Sequence, residues 1–169
     1  MVWDSALGSV IEVAVGIAGF SGIVAAVGRR REGRWDPMDQ LLLRVLLLAT
    51  GIAILFAFLP FTMIELMEPR LVWRILSGLL AAWVLGIAII RTRQGAQLGA
   101  VRKVGLGNPF LLIGAGFVFS VLLANALWFG KSSLYVVGVL WQVAIAFIAF
   151  VYLLLSALDY PLDADSETD

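Results

Sequence analysis

One serine and one glutamate in the first apolar stretch are residues whose type and spacing could do chemistry. In "VIEVAVGIAGFSGIVAAVGRRR", residues 10 to 31, Ser21 lies in the tetrapeptide Gly19-Phe20-Ser21-Gly22, and Glu12 is the one acid of the run. A serine hydroxyl becomes a nucleophile when a positioned base takes its proton. A carboxylate in an apolar helix is costly, and it faces a bundle interior, a wet cavity or a partner.

The tetrapeptide G-x-S-G resembles the nucleophile motif of rhomboid-type intramembrane proteases, over those four residues only. That resemblance implies a serine mechanism, which needs His, or in some classes Lys, as base. The chain contains no His, and its lysines, Lys103 and Lys131, fall in loops expected on opposite sides of the membrane. No enzyme is therefore expected, and no catalytic residue is assigned. The lack of His and Cys also argues against ligated haem and Cys/His metal sites. No cofactor is expected, and no metal site, because Glu12 is the only acid well inside an apolar stretch.

Positioning Glu12 falls to a membrane architecture. The 169 residues are 62% hydrophobic, with a mean hydropathy of +0.99 and 14% charged residues, a composition far more apolar than that of soluble domains. Twelve Lys and Arg balance twelve Asp and Glu, so no strong basic field points to nucleic acid. The fold expected is an all-α integral membrane bundle of five transmembrane helices at about 5–28, 38–59, 71–90, 110–129 and 134–158, each near the roughly 20 residues needed to cross a bilayer. Residues 1–158 then form one membrane domain. The acid-rich tail 159–169 is expected to be disordered. The start, Met1-Val2-Trp3-Asp4, lacks the basic segment and cleavage site of a secretory signal, so the first span is read as retained.

Punctuation supports these boundaries. Asp36-Pro37 and Asn108-Pro109 each place a capping side chain before a proline at the first helical position. Pro60 and Pro69 are expected to bracket the connector between spans two and three, and Met63, Ile64 and Met67 to form a short interfacial helix beside Glu65 and Glu68. Trp3, Trp35, Trp73 and Trp128 near span ends read as an aromatic belt. Nine basic residues (Arg29, Arg30, Arg31, Arg34, Arg44, Arg91, Arg93, Arg102, Lys103) stand on one side against three (Arg70, Arg74, Lys131) on the other. The positive-inside rule then puts the N-terminus outside and the C-terminus in the cytoplasm. Short loops and the absence of a targeting segment suit the plasma (inner) membrane of a bacterium or an archaeon.

Helical geometry sorts the polar and small residues into faces. At 100° per residue, Ser5, Gly8, Ser9, Glu12, Gly16 and Gly19 share one sector of span one, while Ser21 points to the opposite side. Ala14, Ala18, Gly22 and Ala26 form a second low-bulk row. Span three has a light face of Ser77, Gly78, Ala81 and Ala88 headed by Arg74, and span five one of Tyr135, Gly138, Gln142, Ala146, Ala149 and Ser156. Ser120, Asn125 and Gln142 are candidate polar contacts between helices. Glu12 lies seven residues, roughly 10 Å, inside its span, and Arg74 is its candidate ion-pair partner.

Five short spans leave little room for a transport path in one copy, so the expectation is a homo-oligomeric channel or pore in the lipid bilayer. It would conduct cations, with Glu12, Ser5, Ser9, Gly16 and Gly19 lining the path as a carboxylate ring with small neighbours. A proton-coupled carrier using Glu12 for a small cation or proton is the alternative. It resembles the small multidrug transporters in having a lone Glu in the first span of a short apolar chain. A third possibility is a non-transporting accessory or assembly subunit of a membrane complex.

Overall fold

The computed structural model describes residues 2–32, 37–97 and 109–158, and every long element in them is helical. The helices are α1 (Val2–Glu32), α2 (Pro37–Met63), α3 (Pro69–Gln97), α4 (Pro109–Ala124) and α5 (Ser132–Leu158), with a π-helical turn, Asn125–Phe129, at the end of α4. Five segments are long and apolar enough to cross a membrane: Trp3–Val24, Gln40–Met63, Pro69–Ile90, Leu111–Phe129 and Ser132–Ser156. The large side chains left exposed are overwhelmingly apolar, among them Phe20, Leu48, Phe58, Ile113, Phe117 and Phe147. This is the architecture of a multi-pass membrane protein, for which hydrocarbon suits such surfaces better than water.

Three prolines open helices as their fixed φ and missing N–H allow: Pro37, Pro69 and Pro109 are the first residues of α2, α3 and α4. Pro60 departs from the expected connector. It lies inside α2, which runs on to Met63, and the chain then turns through Ile64–Glu68 rather than forming a further helix. Hydrogen bonds from Leu66 and Met67 N–H to Met63 O (both 3.1 Å) close that turn. The capping positions Asp36 and Asn108, Trp35, loop residues 98–108 and the tail 159–169 lie outside the described residues.

The chain divides into two compact units. The first takes Met1–Gly8 and Leu55–Trp141, the second Ser9–Ile54 and Gln142–Asp169. In the first, α3 buries Trp73, Leu76, Leu80 and Val84, a 3/4 spacing that sets one helical face inward. From α4 and α5 come Leu122, Tyr135 and Val139, and from α2 Phe56, Ala57 and Pro60, all buried. In the second unit Leu42, Leu46, Ala49 and Ala53 repeat the same spacing along α2. Ala14 of α1 and Ala146, Ala149 and Leu153 of α5 are buried with them, and Phe20 meets Phe150 edge-on at 6.4 Å between ring centroids.

The light faces of α3 and α5 are packing faces. Ser77, Ala81, Tyr135, Gly138, Gln142, Ala146 and Ala149 are all buried. A Cβ on Gly138 would stand 2.7 Å from Leu122 Cδ2 and 2.8 Å from Leu80 Cδ2, so any side chain there would force those leucines to shift. Gly114 is likewise covered by the Trp141 ring, and Gly78 faces Ala126 at 3.8 Å. Small residues let helices approach until dispersion contacts replace those lost from lipid.

Candidate functional site

The light face of α1 contrasts with those of α3 and α5. Ser9, Glu12, Gly16 and Gly19 are exposed in the second unit, and Ser5 is exposed in the first. A Cβ built on Gly8, Gly16, Gly19 or Gly22 meets nothing within 4 Å. The opposite side of the same helix is the packed one, with Leu7, Val10, Ala14 and Ser21 buried. Glu12 stands nine residues along the apolar segment from Trp3, about 14 Å at 1.5 Å per residue, which would be near mid-depth were that segment to cross a roughly 30 Å hydrocarbon core. A carboxylate at that depth on an uncovered surface costs about 3 kcal/mol when charged, unless water or a partner reaches it.

Ser21 is turned inward on its own helix. Its hydroxyl donates to Ala18 O at 2.7 Å, which satisfies a buried polar group without any neighbour. Thr50 does the same on α2, donating to Leu46 O at 2.9 Å. Ser120 also bonds within its helix, to Gly116 O at 2.8 Å. No group of three or more His, Cys, Asp or Glu among the described residues could hold a metal ion.

Asn125 makes the cross-helix contact its type suggests. Its Nδ2 donates to Ser77 Oγ on α3 at 2.8 Å and to Lys131 O at 3.0 Å, and its Oδ1 accepts from Lys131 N–H at 2.8 Å. One buried amide thereby ties α3 to the turn that joins α4 to α5 and leaves few orphan groups. Arg74 serves the same turn. Its Nε donates to Ala126 O at 2.7 Å and its Nη2 to Leu127 O at 2.6 Å, so a cation answers the carbonyl end of the preceding helix. Gln142 is buried on α5 in the second unit.

A polar feature that side-chain type alone did not reveal lies at Pro60. A proline has no N–H, so in α2 the carbonyl of Phe56, four residues earlier, lacks its helical donor. The Tyr135 hydroxyl of α5 donates to that carbonyl at 2.5 Å, with Tyr135 fully buried. The signal was present in the sequence as a proline inside an apolar run, which obliges some neighbour to supply a donor. Trp73 also differs from the belt reading, because it is buried between Trp3 (5.1 Å) and Tyr135 (5.6 Å). Trp128, by contrast, is exposed.

Two surfaces thus stand apart. The first unit holds a satisfied polar scaffold of Ser77, Asn125, Arg74 and Tyr135, whose partners are already inside the chain. The Glu12 face of α1, built of serines and glycines around one acid, is exposed. Compared with family models, curated protein sequences and solved structures, the chain matches none.

Proposed function

We propose that copies of this chain assemble in a bacterial inner membrane into a cation-conducting pore, N-terminus outside, with the Glu12 face of α1 lining the path. The observation that carries the reading is the exposure of Glu12 within the apolar segment Trp3–Val24, with Ser9, Gly16 and Gly19 exposed beside it. On α3 and α5 the small residues Ser77, Ala81, Gly138, Ala146 and Ala149 are buried, whereas Gly51 of α2 and Gly116 and Ser120 of α4 are exposed as on α1 but have no carboxylate beside them on their helices. A carboxylate left on a hydrocarbon-facing surface is unfavourable, and assembly about an axis exchanges that lipid for water and for identical carboxylates. A ring of carboxylates attracts cations and repels anions, while glycines leave backbone carbonyls accessible to a narrow wet lumen.

The test is ion flux. In liposomes carrying a potassium chloride gradient, the purified protein should give a cation-selective reversal potential, and Glu12→Gln should move the cation-to-anion permeability ratio towards unity. Unchanged selectivity in Glu12→Gln would remove Glu12 from the path. Proton release on adding an organic cation, without channel-like flux, would favour a proton-coupled carrier. A monomer that co-purifies with one fixed membrane partner would favour an accessory subunit.

A further inference from the structure

Where α4 gives way to α5 in the first unit, three basic residues meet around one glycine. Gly130 is left-handed at φ 62, and a Cβ there would stand 2.8 Å from Arg70 Cγ, 2.9 Å from Arg70 O and 3.1 Å from Arg74 Cγ. The stems of both arginines therefore lie against the turn, with Lys131 as its next residue. Two Arg74 nitrogens are held by the carbonyls of Ala126 and Leu127, whereas Arg70 and Lys131 are exposed. Immediately beyond, α5 begins at Ser132, and its first-turn N–H groups have no acceptor within the helix. Two exposed basic residues and the positive end of a helix dipole thus adjoin the Gly130 turn.

The apolar surroundings indicate where the matching anion resides. Trp128 is 66% exposed, Leu127 and Phe129 are each 49% exposed, and Lys131 Nζ lies 6.0 Å from the Phe129 ring centroid. Large apolar side chains and basic groups side by side at the end of spanning helices fit the boundary between acyl chains and headgroups. Glu65 and Glu68, exposed on the connector into α3, lower the net positive charge of this part of the chain.

We infer that Arg70, Lys131 and the start of α5 form a binding site for the phosphodiester of an anionic phospholipid, whose acyl chains lie along Trp128 and Phe129. The site is independent of Glu12 and of conduction. Phosphate contacts to Arg and Lys are charge-assisted, and each basic residue at a membrane surface adds affinity for anionic lipid.

Native mass spectrometry of the detergent-purified protein tests the site with three probes: phosphatidylglycerol, phosphatidylcholine with the same acyl chains, and inorganic phosphate. Phosphatidylglycerol should be retained in preference to phosphatidylcholine. The double variant Arg70→Gln/Lys131→Gln should weaken that retention on the order of tenfold or more. Arg44→Gln, an exposed change in the second unit, should leave it unchanged. The charge-preserving pair Arg70→Lys/Lys131→Arg should keep binding, which separates loss of charge from loss of fold. Equal retention of the two lipids, insensitivity to the double Gln variant, or loss in the charge-preserving pair would overturn the assignment. Displacement of phosphatidylglycerol by inorganic phosphate at comparable concentration would assign the site to a soluble anion and overturn the lipid.

Discussion

Tyr135 and Pro60 define the most consequential side-chain contact in the first unit. Removing one hydroxyl, in Tyr135→Phe, leaves the Phe56 carbonyl buried beside a proline without a donor. An unsatisfied buried acceptor costs about 1 to 3 kcal/mol, so unfolding in mixed micelles should shift by that amount. Pro60→Ala restores an N–H at the i+4 position, and in that background Tyr135→Phe should cost less than half as much. A double-mutant cycle reads the difference directly. Equal costs in the two backgrounds would show that the Tyr135 hydroxyl does not act by replacing the hydrogen bond that Pro60 lacks.

At the scale of elements, the same residue type has opposite consequences on different helices. Gly138 on α5 is enclosed by Leu122 and Leu80, whereas Gly16 on α1 has nothing within 4 Å of a built Cβ. Gly138→Ala must displace two fully buried leucines and should destabilise by about 1 to 3 kcal/mol, the usual range for overpacking. Gly16→Ala should leave the folded chain at least as stable, since alanine is the better helix former by roughly 1 kcal/mol. Thermal unfolding of both variants in one detergent checks the contrast. Helical periodicity placed Gly138 and Gly16 on light faces alike. Which face another helix covers depends on contacts distant in sequence, and no local pattern records that.

For the whole molecule, the open face of α1 sets the expected assembly. Gly16→Leu adds bulk where the single chain offers no obstacle and where the proposed lumen is narrow, so the fold and the subunit number should survive while ion flux falls. Size-exclusion chromatography with light scattering should show an unchanged species, and liposome flux a loss of conduction. Unaltered flux would remove Gly16 from the path. Glu12→Gln makes the complementary measurement, because it retains shape and removes charge, and so should change selectivity without changing subunit number.

Five apolar helices and their approximate limits were legible in the sequence because hydrophobic runs of span length have no other stable disposition. The prolines at 37, 69 and 109 marked helix starts for a reason local to the peptide, their fixed φ and absent N–H. Pro60 has the same chemistry and the opposite outcome, since a tyrosine 75 residues away supplies the missing hydrogen bond and lets α2 continue. Arg74 was legible as a cation near a helix end, but its partners are backbone carbonyls, which every residue carries and no composition can flag. Asn125 was legible as helix-linking glue, while its bonds to the Lys131 backbone required the π turn to bring a residue six positions ahead into reach. Local chemistry determined the helices and the faces they carry. Tertiary structure alone decided which faces are covered, because covering depends on helices meeting across long sequence separations, and that is what leaves Glu12 exposed.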